Sequence, residues 1–350
     1  MNHPAQIWNR PATGTETAAE SASSLARTGW LFGPWIDLLL VSNCFWPLLV
    51  FLQHDIDFTG RAAVQFWQIY FITTPHRWST LAVVLMDRQL LRNRRRFLIG
   101  FTLLVIGLVV GVRLGTGGLT CLLAIDYLWN AWHFAAQHHG IYRIYGRLAS
   151  RHTMLPIVVE KWLLRAFLLY VILRVAQVSI QPPLALDLLN KMDWFMPILP
   201  AIVLGNALLS FRRAGLGGLI YLVSVVSLFL ALLTSVHVGN PALVLCLTTA
   251  SAWFHASEYL TVIGWRLKGQ AQTSGPDANS DIVRWLLSRW AVSLLVFMLI
   301  LGSVGWMVEH NFLELWLLIN VIAAFLHYGF DGVMWKRSSP SISPTPVGLE

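Results

Sequence analysis

Four histidines interrupt apolar stretches of this sequence: His76 in FITTPHRWST, His133 in NAWHFAAQHHG, His255 in SAWFHASEYL and His327 in AFLHYGFDGVMW. Two have a carboxylate on the same helical face, Glu258 three residues after His255 and Asp331 four residues after His327. Imidazole nitrogens and carboxylate oxygens are donor atoms for divalent metals. Ionisable groups at membrane depth are costly, so each is a functional candidate by default. The chemistry this set could support is metal binding inside a bilayer.

Positioning those side chains falls to a strongly apolar chain. Of its 350 residues 56% are hydrophobic and 12% charged, and the mean hydropathy is +0.61. Soluble domains carry about a quarter charged residues, and a soluble fold of this length cannot hide so much apolar surface. A polytopic helical membrane protein can, because lipid solvates the excess. The 17 tryptophans fit the headgroup boundary. The net charge of +8 comes largely from arginines in short segments beside apolar spans, which reads as topology and not as a nucleic-acid footprint. Cys44, Cys121 and Cys246 fall inside apolar spans without metal or disulfide spacing, and read as small buried apolar residues. The polar residues 1–28 lack a hydrophobic leader segment, so the first span is expected to direct insertion.

Ten apolar segments are long enough to cross about 30 Å of hydrocarbon. They lie near residues 30–52, 64–86, 97–115, 117–141, 156–179, 193–211, 216–237, 241–265, 285–307 and 311–335. The fifth carries Glu160, Lys161, Arg165 and Arg174 and is the least regular. Basic residues alternate between connections. Arg10 and Arg27 precede the first span, and the DRQLLRNRRR segment follows the second. Arg143, Arg147 and Arg151 follow the fourth, Arg212 and Arg213 the sixth, Arg266 and Lys268 the eighth, and Lys336 and Arg337 the tenth. The other connections hold only Arg61, Arg113 and Lys191. Positive residues mark the cytoplasmic side, so both termini are expected there. The expected layout is a flexible cytoplasmic tail over 1–28, a single transmembrane domain over 29–337, and a flexible tail over 338–350. Within the domain a flexible cytoplasmic loop is expected near 267–283. No internal repeat supports an inverted-repeat transporter.

With that topology the four histidines lie on spans two, four, eight and ten, which all run inwards. Each precedes the first basic residue after its span by 12 residues for His76, 10 for His133, 11 for His255 and 9 for His327. At ~1.5 Å per residue these offsets agree within about 5 Å, which predicts one shared depth. Their helical faces carry further polar groups: Thr73 and Thr80 beside His76, and Asp126, Asn130 and Gln137 beside His133. Thr248, Ser251 and Glu258 flank His255, and Asn320 and Asp331 flank His327. Such stripes must face a bundle interior or a wet cavity.

A metal site with His76, His133, His255, His327, Glu258 and Asp331 as ligands follows, Glu258 and Asp331 also being the candidate catalytic groups. Gln137, Asn130 and Asn320 are candidates to orient ligands or polar substrate atoms. Mixed histidine and carboxylate ligation suits one or two non-haem irons. Three or four histidines also suit zinc with a bound hydroxide. Haem is a third option that leaves Glu258 and Asp331 without a ligand role. The plainest alternative is that each histidine is hydrogen-bonded glue between helices. His138 and His139 fall on other faces from His133; His138 joins the site if its helix ends there, and His139 is the weaker candidate. Asp37 is a candidate for the outer shell or for pairing with Arg165 or Arg77. Tyr259 and Tyr328 are proton-donor candidates. His3, His54, His152, His237 and His310 are expected in solvent.

At these residues the chain resembles, in layout, two histidine-rich membrane families. One is the retinal-forming carotenoid oxygenases of the Brp/Blh type, multi-pass bacterial proteins with isolated intramembrane histidines proposed to hold iron. The other is the membrane desaturase and hydroxylase superfamily, whose first histidine box has the spacing of His133 to His138 followed by His139. The further HxxHH boxes of that superfamily are absent from this sequence. Segments such as FWQIYFITTPHRWSTL and HYGFDGVMWK are similar to those of uncharacterised bacterial membrane proteins.

The expectation is an all-α bundle of about ten transmembrane helices in a bacterial cytoplasmic membrane. The expected activity is that of a metal-dependent oxidoreductase taking a lipophilic substrate from the bilayer, with an electron donor as a further partner. An intramembrane zinc hydrolase of lipid amides or esters, with Glu258 or Asp331 as general base, is the second reading. A proton- or metal-coupled transporter is the third.

Overall fold

The computed structural model describes residues 29–56, 63–148, 154–177, 186–210, 215–273 and 289–334. Both expected tails and residues 274–283 of the expected loop lie outside them. The described residues form helices without a strand. In chain order these are α1 Pro34–Val41, α2 Trp46–Ile56, α3 over 63–86, α4 Arg88–Thr116, α5 Thr120–Leu148 and α6 Ile157–Ala176. They continue as α7 Leu186–Phe195, α8 Ile198–Leu209, α9 Leu216–Val238, α10 Pro241–Thr273, α11 Trp290–Asn311 and α12 Leu313–Met334.

The described residues of the ten expected segments are mostly helical, with breaks at 30–33 and 42–45 in the first and at 196–197 in the sixth. Five helical stretches are long and apolar enough to cross a membrane: Leu90–Thr116, Leu186–Leu209, Leu216–Val238, Ala291–Asn311 and Leu313–Met334. A sixth is added if α1 and α2, bent by 41°, count as one. Over its described residues the chain is thus all-helical, with five to six candidate membrane spans. Helices α3, α5, α6 and α10 fall short because they carry much of the polar side-chain content. Only 11% of the apolar window of α11 and 17% of that of α4 is buried. Such apolar faces are tolerable in lipid and a severe aggregation liability in water.

Several boundaries differ from the sequence expectation. The basic DRQLLRNRRR segment is helical, because Asp87 caps α4 by accepting the Leu90 N–H at 2.9 Å and the following residues are good helix formers. Only Arg94 departs from helical dihedrals there. Helix α5 runs on to Leu148 instead of stopping near 141, and α10 continues to Thr273, into the expected loop. Cys246 is buried as expected, but Cys44 and Cys121 are exposed on the bundle surface.

Two apolar cores meet at the site. One surrounds α9, the most enclosed span, with Phe167, Leu168, Phe229 and Phe254 fully buried. The other lies around α12 and includes Val84, Val109, Leu122 and Phe325. Helices α5 and α10 contribute to both cores, and the polar faces lie where the cores adjoin.

Helix α3 is irregular for a local reason. Pro75 lacks an N–H and would crowd the preceding turn of a regular helix, and the five residues Ile69–Thr73 form a wide π turn just before it. Thr73 Oγ1 donates to the Gln68 carbonyl at 2.9 Å within this turn. Gly302 of α11 packs against it: a Cβ there would lie 2.7 Å from the Tyr70 carbonyl oxygen.

Candidate metal centre

The four helices α3, α5, α10 and α12 bring His76, His133, His255 and His327 into one buried ring. Neighbouring imidazoles meet edge to face. Ring centroids are 5.2 Å apart for His76 and His255, 5.1 Å for His255 and His133, 4.8 Å for His133 and His327, and 5.1 Å for His327 and His76. His76, His255 and His327 each offer a nitrogen, all within 4.8 Å of one another. His133 joins through His327, with their Nε2 atoms 3.1 Å apart.

Hydrogen bonds behind the ring define which nitrogens face it. His76 Nδ1 bonds the carbonyl of Thr73, on the π turn. His327 Nδ1 lies 2.6 Å from Thr80 Oγ1, which lies 2.5 Å from the Tyr259 hydroxyl. Tyr259 donates to Asp331 Oδ1 at 3.1 Å. The chain closes consistently if His327 Nδ1 donates to Thr80, Thr80 to Tyr259 and Tyr259 to the carboxylate. Asp331 Oδ2 stands 3.9 Å from His133 Nδ1. His327 thus keeps a lone pair on Nε2, which accepts from His133 Nε2 at 3.1 Å when that nitrogen carries the proton and faces a second lone pair when it does not. In the second case a cation between the two nitrogens satisfies both. Two ligands of a tetrahedral ion with ~2.05 Å bonds stand about 3.3 Å apart, so the donor set fits a metal ion.

A second donor set adjoins the first. His138, His255 and Glu258 offer ligand atoms within 4.8 Å of one another. Glu258 is buried and held on three sides: Gln137 Nε2 donates to Oε1 at 2.7 Å, Tyr221 to Oε2 at 2.8 Å, and His138 Nδ1 lies 3.2 Å from Oε1. Gln137 also donates to the His255 carbonyl at 2.9 Å. Phe134 stacks on the His255 ring at 3.8 Å and 12°.

The sequence candidates therefore divide. His76, His133, His255 and His327 converge, and Gln137 orients Glu258. Asp331 lies behind His133, its Oδ2 3.9 Å from the ring nitrogen remote from His327, and accepts from Tyr259. Asn130 shares the Tyr328 hydroxyl with Asp126, at 3.1 and 2.9 Å, one layer outside His133. Asn320 donates to the Trp316 carbonyl of its own helix at 3.0 Å and is not brought to the histidines. Tyr328 donates towards Asp126, and Arg77 stands 3.9 Å from Asp126.

His138 joins the site although α5 does not end there, because the face it shares with Tyr142 and Tyr145 packs towards α9. Tyr221 is the residue the sequence reading missed. It stands alone among apolar neighbours in α9, and no spacing signals it. Asp37 pairs with neither Arg77 nor Arg165. It accepts the N–H groups of Leu31 at 2.6 Å and Phe32 at 3.0 Å and the Tyr145 hydroxyl at 3.1 Å. The Arg165 guanidinium lies over the Trp132 ring at 5.4 Å. His54 and His310 are exposed as expected, whereas His237 pairs with Asp193 at 3.0 Å; His3 and His152 lie outside the described residues.

No family model matches the chain, and neither a curated protein nor a solved structure matches it.

Proposed function

We propose that this chain is a metal-dependent integral membrane oxidoreductase, with non-haem iron bound by His76, His133, His255 and His327. The observation that carries this reading is the convergence of four buried imidazoles from four helices, with the Nε2 atoms of His133 and His327 3.1 Å apart. Iron in such a set supplies redox chemistry and open coordination positions. The chain's own residues do the rest. Thr73 and Thr80 fix ring orientation from behind, and Tyr259 and Asp331 supply a hydrogen-bonded route along which a proton can pass to Thr80 and His327. The surrounding apolar cores exclude water.

The substrate in this reading is lipophilic, an acyl chain, isoprenoid or carotenoid that enters from the bilayer, and an electron donor docks on the cytoplasmic side. The layout shared with the carotenoid oxygenases favours an isoprenoid. The proposed topology is ten spans in a bacterial cytoplasmic membrane with both termini inside, supported by the alternation of basic connections.

Metal analysis of the purified protein tests the reading. Stoichiometric iron, lost in His255→Ala and His327→Ala, is the expected result. Stoichiometric zinc would move the reading to a hydrolase, and metal content unchanged in both variants would remove the site.

A further inference from the structure

We propose that the site holds a second cation in the set His138, Glu258 and His255, with the His255 ring shared between the two ions as an imidazolate. This rests on the four-histidine site above and extends it. A histidine that binds one metal ordinarily donates its other ring N–H to a carbonyl, carboxylate or hydroxyl. His76 and His327 follow that rule through Thr73 and Thr80, and His133 turns its second nitrogen towards Asp331. His255 breaks it: the ring is fully buried, and neither Nδ1 nor Nε2 has a hydrogen-bond partner. A neutral imidazole so placed leaves a donor and an acceptor unsatisfied at once.

Position resolves the anomaly. His255 belongs to both clusters of candidate ligands, His76–His255–His327 and His138–His255–Glu258. Phe134 stacks flat on one face of its ring, which fixes the ring plane and leaves both nitrogen edges for ligands. The second cluster is built as a site in its own right. Glu258 is fully buried and oriented by Gln137 and Tyr221, and His138 Nδ1 lies 3.2 Å from its Oε1. His138 keeps a second buried nitrogen, Nε2, without a hydrogen-bond partner. A divalent ion there offsets the carboxylate charge and gives the buried His255 nitrogen a partner. On its entry a nitrogen–metal bond forms on His255 and the remaining N–H bond breaks. The proton leaves to solvent, and no electron changes hands.

The full-length protein in detergent, stripped with a chelator and titrated with Cu(II) alone, tests this. The expected result is uptake of two ions per chain. The paramagnetic resonance signal should rise over the first equivalent and fall over the second, because an imidazolate couples the two spins. Glu258→Gln and His138→Ala should each bind one ion fewer and keep the full signal of an isolated ion. A wild-type protein that binds a single ion, or binds two with a signal that simply doubles, overturns the shared ring while leaving the four-histidine site standing. No uptake at all overturns both. The wild-type titration decides the matter even if a variant fails to fold.

Discussion

His133 and His327 meet nitrogen to nitrogen at 3.1 Å, while their other ring nitrogens face Asp331 and Thr80. Two helices far apart in sequence thus aim ring nitrogens at one point, and Thr80 holds His327 from behind. Removing one ligand differs from loosening its support. His327→Ala should cost metal affinity by more than about 100-fold, beyond the range of outer-shell changes. Competition with a chromophoric chelator measures it; affinity within a few-fold of wild type would refute the ligand assignment.

Thr80 and Tyr259 should behave as supports. Thr80→Val and Tyr259→Phe each break the chain from His327 to Asp331 and should weaken metal binding by about 10- to 100-fold. Thr80→Ser keeps the hydroxyl and should stay near wild type. A serine variant as weak as the valine one would mean that the methyl group, and not the hydrogen bond, matters at this position.

Legibility in the sequence followed local chemistry. His76, His133, His255 and His327 could be assigned to one depth because charge punctuates the spans and helical rise converts residue counts into ångströms. Azimuth was harder. Asp331 lies one turn from His327 on the same face, yet its carboxylate also stands 3.9 Å from His133 of another helix, since helix rotation is set by packing that no single segment encodes. His138 was underweighted for the same reason, as it lies about 140° from His133 on α5. Tyr221 was invisible because its partners, Glu258 and His138, come from two other helices.

The buried cluster beyond the site makes a stability prediction. Arg174 and Asp193 are 5% and 3% exposed and joined at 3.3 Å, with Tyr170 donating to the same carboxylate at 2.6 Å. Asp193→Ala should destabilise by about 3–5 kcal/mol by leaving Arg174 buried without its counter-charge. The double replacement Arg174→Met/Asp193→Leu should be milder. Thermal unfolding in detergent reads both, and equal losses would argue against an uncompensated charge as the cause.

Gly302 is predicted to tolerate no side chain, since its Cβ would meet the Tyr70 carbonyl at 2.7 Å. Gly302→Val should cost about 1–3 kcal/mol by overpacking. It should also weaken metal binding, because the displaced backbone is the turn that leads to His76. Stability lost with metal affinity intact would show that α3 absorbs the strain without moving its histidine.

The proposed topology predicts that cysteines placed in the first 28 residues and after residue 337 react with an impermeant thiol reagent only from the cytoplasmic face. Labelling of the two ends from opposite faces would make the span count odd.

The wide turn Ile69–Thr73 of α3 has a meaning in terms of phase. An α-helix advances about 100° per residue, so one surplus residue rotates everything after it by that angle. The aromatic stretch before the turn and His76 after it are consequently aimed by two separate screws joined end to end. Deleting a single residue between 69 and 73 would merge them into one and swing His76 about a quarter turn away from its three companions. The reach of α3 into the ring is thus stored as an insertion, a single unit of chain length placed just before Pro75.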